Sequence, residues 1–212
     1  MDLEMIKQQK DELRTAMSAR RKALDPMCHM GSAQGILSEF SFYFGSKSIE
    51  SLAAYKAFGG EIDPAMIIDW ARTKGIDCGL PYLPSDAIPQ ADGAPKQDYT
   101  FKLWREQDEL ESGVFGVEQP ASTAPDMEPQ VLLVPLIAFD RQGGRVGRGK
   151  GHYDRVIQKI EARGDGLLIG LGFSFQEADP CPMEDHDQRL DAVITPEIMH
   201  ICSERGRSFF EG

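Results

Sequence analysis

Between Gly143 and Arg155 the chain reads GGRVGRGKGHYDR, in which Gly147, Gly149 and Gly151 alternate with Arg148 and Lys150. Residues without Cβ let backbone N–H groups turn toward an anion, and a following helix adds the positive end of its dipole. Arg145, Arg148 and Lys150 bring side-chain charge suited to an oligophosphate. Gly144 and Gly149-Lys150 have the spacing of a P-loop, but Gly151 stands where that motif needs the hydroxyl that ligands magnesium. Asp154, one turn further on, offers the hard oxygen that a chelated phosphate requires. A flexible cationic turn has the same composition. The segment is therefore read as a phosphate cradle of another lineage on its context, a strand before it and a helix after it.

That context extends along the chain. Leu3 to Leu24 is predicted to be a helix, closed by Asp25-Pro26, with Lys10 and Arg14 four apart on one basic face. A second helix is predicted over Ser32 to Phe44 and a strand over Ser48 to Tyr55. Asp63 and Pro64 open a helix that runs to Thr73 or Lys74. Short strands are expected at Asp77 to Tyr82 and Tyr99 to Arg105, with irregular connections over Pro84 to Gln97 and Glu118 to Glu128. Gln130 to Pro135 forms the strand before the glycine loop. Tyr153, Val156, Ile157 and Ile160 then give a helical stripe that stops at Gly164. Gly166 to Phe173 and Asp191 to Thr195 are the remaining predicted strands. Alternation of strands and helices implies an α/β fold of three layers, Rossmann-like, with a mostly parallel twisted sheet and helices on both faces. All 212 residues are expected to form one such domain.

A formal charge of −11 repels polyanions, which argues against nucleic acid as a partner and requires any anionic ligand to be held by local cations. The longest apolar run, Val131 to Phe139, is too short to span a bilayer, and Met1 to Arg14 lacks the apolar region of a signal peptide. No membrane contact and a cytoplasmic location are expected. Cys28, Cys78, Cys181 and Cys202 are scattered, as suits free thiols in a reducing compartment, and neither His200 with Cys202 nor Cys181 with His186 has zinc-ligand spacing.

Taken together, PLIAFDRQGGRVGRGKGHYDR (Pro135 to Arg155) resembles the signature of the 5-formyltetrahydrofolate cyclo-ligase, or methenyltetrahydrofolate synthetase, family. Lys10-x-x-x-Arg14, GGEID (Gly59 to Asp63), FGVEQP (Phe115 to Pro120) and the pattern from His186 to Thr195 carry the same resemblance through the chain. It implies an enzyme that closes 5-formyltetrahydrofolate to 5,10-methenyltetrahydrofolate with ATP and magnesium. Lys10 and Arg14 would reach the ATP phosphates. Arg145, Gly147, Arg148, Gly149, Lys150, Gly151, His152 and Tyr153 would cradle the triphosphate and, at Tyr153, meet the folate. Arg148 and Lys150 would stabilise charge on the transferred phosphoryl. Asp154 and Asp191 would hold magnesium directly or through water. Lys56, Glu61 and Phe115 would contact the folate, Glu61 through the pterin. His152 departs from the family's usual Tyr or Phe. The implied partners are small molecules only, and the implied state is a monomer.

The implied reaction asks for positioning and charge neutralisation rather than a protein nucleophile. Two other readings share the scaffold. A sugar-phosphate isomerase or acyl-CoA transferase would need a catalytic carboxylate and no ATP, and a non-catalytic folate or nucleotide binder would show binding without turnover.

Overall fold

The structure is a computed structural model that describes residues 3–84, 98–113, 116–149 and 151–212. The expected Pro84–Gln97 connection, Phe115 and Lys150 therefore lie almost wholly outside the described residues.

Val131 and Leu133 of strand β7 (Val131–Pro135) join one apolar cluster, while Leu132 and Val134 join another. That alternation is what a strand buried on both faces produces. Around β7 the eight-stranded sheet is ordered β12-β11-β10-β7-β1-β2-β3-β6. Its parallel centre is β2 (Asp77–Tyr82), β1 (Ser51–Ala53), β7, β10 (Leu167–Leu171) and β11 (Ala192–Ile194). Antiparallel strands close both flanks: β12 (Met199–Ile201) on one, β3 (Thr100–Leu103) and β6 (Asp126–Met127) on the other. Helices α2 (Pro26–Phe44) and α3 (Ala65–Thr73) cover one face through Ile36, Phe40, Phe44, Ile67 and Ile68, joined by Phe209 and Phe210 of α5 (Glu204–Glu211). Helix α4 (His152–Arg163) covers the other through Val156, Ile157 and Ile160. The three-layer, mostly parallel α/β fold is as expected.

Three local expectations change. Asp25-Pro26 starts a helix as well as stopping one: α1 (Leu3–Lys22) ends just before it, and Asp25 caps α2 by accepting the Cys28 amide. Strand β1 is shorter than Ser48 to Tyr55. The chain leaves the sheet after Ala53, and the Tyr55 hydroxyl donates to Ile62 O at 2.8 Å, folding the following loop back on itself. Finally, Glu118 to Glu128 contributes two short strands to its irregular run, β5 (Glu118–Gln119), which pairs with β4 (Glu111–Ser112), and β6.

The order of connection fixes where a ligand can sit. From β1 the chain passes through α3 to β2 on one side, whereas from β7 it passes through α4 to β10 on the other. The loops leaving the carboxyl ends of β1 and β7 thus diverge, opening the crevice where sheets of this kind take ligands.

Candidate active site

Past β7 the chain makes a small hairpin, β8 (Ala138–Phe139) with β9 (Arg145–Val146), and then enters the glycine loop. Asp140 builds the hairpin turn. Its buried carboxylate accepts from the Gln142 and Gly144 amides and, on its second oxygen, from that of Cys181. Asp140 lies within the signature stretch, but its bond to Cys181 could not be read there, because that residue arrives from a distant segment.

Gly149 has φ +87° and Gly151, immediately before α4, has φ +62°, a backbone that residues with Cβ rarely adopt. Behind the loop lies α1, packed on β8 and β9. Arg14 Nε donates to Gly147 O at 2.9 Å, and a Cβ on Gly149 would stand 3.0 Å from the Arg14 guanidinium carbon. Arg145 is buried beneath, its Nη2 donating to Asp154 Oδ1 at 2.6 Å. Arg145 Nε has no hydrogen-bond partner among the described residues. The amides of the first turn of α4, which have no acceptors within the helix, open beside these cations.

On the opposite wall is the loop after β1. Glu61, 8% exposed, accepts from the Phe58 amide at 3.1 Å and from Arg148 Nε at 2.8 Å. Arg148 also donates to Phe58 O and lies 4.7 Å from the Phe58 ring centroid. A residue of the glycine loop and one 87 positions earlier therefore meet across the crevice. Tyr153 packs between the two walls against residues of both cores. Burial first, then the nearby Glu61 and Tyr99, hold its hydroxyl protonated far above the ordinary tyrosine range, against the pull of Arg145 and Arg148. His152 meets Tyr99 edge-on, with centroids 5.0 Å apart. Lys56 stands further out, 3.4 Å from Glu118. Gln119, next to Glu118, exchanges two 3.1 Å hydrogen bonds with the Leu83 backbone, tying the FGVEQP segment to the end of β2.

The structure thus brings together Arg14, Arg145, Gly147, Arg148, Gly149, Gly151, Tyr153, Asp154 and Glu61. It does not bring Asp191 to them, which corrects the expected pairing of Asp154 and Asp191 at one metal. Asp191 lies at the amino end of β11, where Leu168 N donates to its Oδ2 at 2.8 Å and Ser203 Oγ to its Oδ1 at 2.5 Å. Arg205 bonds both of its oxygens and also Glu161, near the far end of α4. Asp154 and Glu161 are seven residues apart, about 10 Å along a helix. The carboxylate is 2% exposed and already served by three donors. Among the described residues no group of three or more His, Cys, Asp or Glu is arranged to hold a metal. Of the two acids, Asp154 alone fits a magnesium that shares its ligands with a bound phosphate.

Lys10 departs in a smaller way. Its Nζ lies 2.8 Å from Glu184 and 2.5 Å from Asp187, so it fastens α1 to the turn before β11, one helical turn from Arg14. Arg21 stands in the basic run Arg20-Arg21-Lys22 that ends α1, yet it is 2% exposed. Ile6, Lys10, Leu13, Met17 and Arg21 fall on one helical stripe that faces the protein, a mixed pattern that hydrophobicity alone does not pick out.

A doubly wound sheet with an arginine-lined glycine loop at its switch point defines an α/β protein with a cationic crevice. The chain belongs to the 5-formyltetrahydrofolate cyclo-ligase family, whose model matches residues 6–196. It is 30% identical over 201 residues to the 5-formyltetrahydrofolate cyclo-ligase of Mycolicibacterium smegmatis, covering 91% of this chain and 96% of that one. Identity to the Escherichia coli K12 protein of the same name is 29% over 181 residues, 84% of this chain and 94% of the relative. The solved structure of Aquifex aeolicus 5,10-methenyltetrahydrofolate synthetase has the same fold, with a TM-score of 0.76 over 92% of this chain and 93% of that one, at 23% identity.

Proposed function

We propose that this protein joins the formyl carbon of 5-formyltetrahydrofolate to N10, giving 5,10-methenyltetrahydrofolate, and uses ATP and magnesium to do so with release of ADP and phosphate. The observation that carries the reading is the meeting of Arg148 and Glu61 across the switch-point crevice. It sets a phosphate-suited loop directly against a carboxylate suited to the amino-pyrimidinone edge of a pterin.

A formyl amide is a poor electrophile because its nitrogen donates into the carbonyl. Transfer of the γ-phosphoryl group to the formyl oxygen turns that oxygen into a leaving group. N10 then attacks the carbon, loses its proton, and phosphate departs. Such a sequence needs in-line positioning and neutralised charge rather than covalent help from the protein. Arg14 and Arg145 hold the polyphosphate against the amides of the loop and of the first turn of α4. Arg148, exposed enough to move, follows the transferred phosphoryl, with Lys150 assigned the same task from the sequence. Glu61 accepts N–H donors of the pterin and fixes the formyl group toward the loop. Asp154 would hold magnesium, which would supply positive charge beside the phosphates. Lys56 and Phe115 are assigned to the outer part of the folate.

Purified protein incubated with 5-formyltetrahydrofolate and ATP-magnesium should develop the methenyl chromophore, and an ATP-free control should not. Turnover without nucleotide would favour chemistry of the isomerase or transferase kind. Binding of both ligands without the chromophore would leave a binder.

A further inference from the structure

Arg21 enters the site from beneath. Its guanidinium is 2% exposed, donates weakly from Nη1 to Leu136 O at 3.3 Å, and leaves Nε without a hydrogen-bond partner among the described residues. Leu136 follows β7 directly, so the cation lies at the base of the crevice. The other wall reaches it through Gly60, φ +77°, where a Cβ would stand 3.4 Å from Arg21 Cβ and 3.5 Å from its carbonyl. Glu61 is the next residue. Arg21 is thus packed directly against the loop that carries the buried carboxylate. Burial lowers its affinity for the proton, Arg148 acts in the same direction, and Glu61 and Tyr55 oppose them.

Glu61 has two cationic neighbours of different kinds. The Arg148 side chain is 43% exposed and sits on the glycine loop, whereas the Glu61 side chain is 6% exposed. If Arg148 turns to a phosphoryl group, Glu61 loses its only guanidinium hydrogen bond among the described residues and stays buried. A buried carboxylate stripped of its partner is strongly destabilised. The remaining groups around it are the Phe58 amide, the Tyr55 and Tyr153 hydroxyls and the Arg21 guanidinium, with Asp63 beyond Tyr55 and Arg145 beyond Tyr153. Arg145 is committed to Asp154. Arg21 has no carboxylate of its own among the described ion pairs.

We propose that Arg21 is a positioning residue for folate, the fixed counter-charge that compensates Glu61 when Arg148 leaves it for the phosphoryl group. Arg148 is the movable partner of that carboxylate and Arg21 the stationary one. The inference rests on the cyclo-ligase reading above and deepens it: the pterin meets a carboxylate whose charge balance does not depend on where the glycine loop has gone.

The test uses the whole enzyme with 5-formyltetrahydrofolate and ATP-magnesium. Arg21→Met should raise KM for the folate on the order of tenfold, with kcat and the KM for ATP within about twofold of wild type. Arg21→Lys should recover most of that loss, because it restores the charge. In a Glu61→Gln background, Arg21→Met should add almost nothing to the folate KM, since the charge it balances is gone. Circular dichroism checks folding, and Arg21→Gln carries the same expectations where the methionine variant is not folded. A wild-type folate KM in the folded variant, a lysine variant as poor as the methionine one, or additive losses in the double variant would each overturn the assignment. If wild-type protein neither binds nor converts 5-formyltetrahydrofolate, the functional reading falls and takes this proposal with it. If it does both, only the variants bear on Arg21.

Discussion

Arg145 Nη2 stands 2.6 Å from Asp154 Oδ1, so the strand entering the glycine loop and the helix leaving it are tied across the loop's base. The arginine side chain is 3% exposed and the aspartate 21%, which places the ion pair between core and crevice. Residues on both sides of the loop, Arg145 and Asp154, are thus held together.

Removing the carboxylate should loosen both fold and chemistry. Asp154→Asn leaves a buried guanidinium without its counter-ion, a change that costs about 3 kcal/mol. The midpoint of thermal unfolding should drop, and the magnesium concentration for half-maximal turnover should rise. An unchanged magnesium requirement in the folded variant would remove Asp154 from the metal.

Asp191→Asn separates the two acids. Its donors are Leu168 N, Ser203 and Arg205, all at the amino end of the sheet. The variant should unfold more easily, by about 2–4 kcal/mol, because charge-assisted hydrogen bonds to a buried carboxylate are lost. Its magnesium titration of activity should match wild type. A shifted titration at unchanged stability would return Asp191 to the metal site.

Gly149→Ala probes the loop itself. At φ +87° a Cβ costs about 1–3 kcal/mol of backbone strain, and here it would also press on the Arg14 guanidinium. The KM for ATP should rise while that for the folate holds. Equal losses for both substrates would indicate a collapsed loop rather than a damaged phosphate grip.

These residues show what could be seen in the sequence and what could not. The glycine loop and the helix behind it were legible because their signals are local: alternating Gly and cations, then a stripe at i, i+3, i+4 and i+7. The layered fold followed from alternating patterns of the same kind. Asp25-Pro26 carried two meanings at once, stop and start, and only the first was read. Asp191 was misplaced for a different reason. The resemblance alone gave it to the metal; as the first residue of a strand in a parallel sheet it belongs at the amino end, and β11 begins at the end away from the loop. The Arg148–Glu61 contact spans 87 residues and depends on the divergence of two connections at the switch point. Arg21 carries no such signal, because a cation inside a basic run has no local mark of burial.

The thiols supply a pH-dependent check on packing. Burial pushes Cys78 and Cys202 up to about 11 and Cys181 to about 12, while the hydrogen bond to Asp25 raises Cys28, which is exposed. Native protein should therefore label slowly at exposed Cys28 and more slowly at half-buried Cys202, with Cys78 and Cys181 reacting only on unfolding. A folded-state pKa above the unfolded value means that the native form keeps protons the unfolded chain releases. The stabilising share of these thiols is complete below the unfolded value near 9 and disappears as pH climbs through about 11 to 12. Mass spectrometry of alkylated native protein, with unfolding curves at rising pH, reads both. Prompt labelling of Cys181 at neutral pH would contradict its place against the β8–β9 hairpin.

Where Asp191 stands has a practical corollary. The Asp191–Arg205–Glu161 knot closes the amino end of the parallel strands, whereas Arg148 and Glu61 meet beyond their carboxyl ends, and the two groups share no partner among the described residues. Hardening that amino end, for instance by tightening how α5 docks, should lift the melting temperature and leave kinetic constants alone. Toughness and turnover can then be tuned as two separate dials on one small chain.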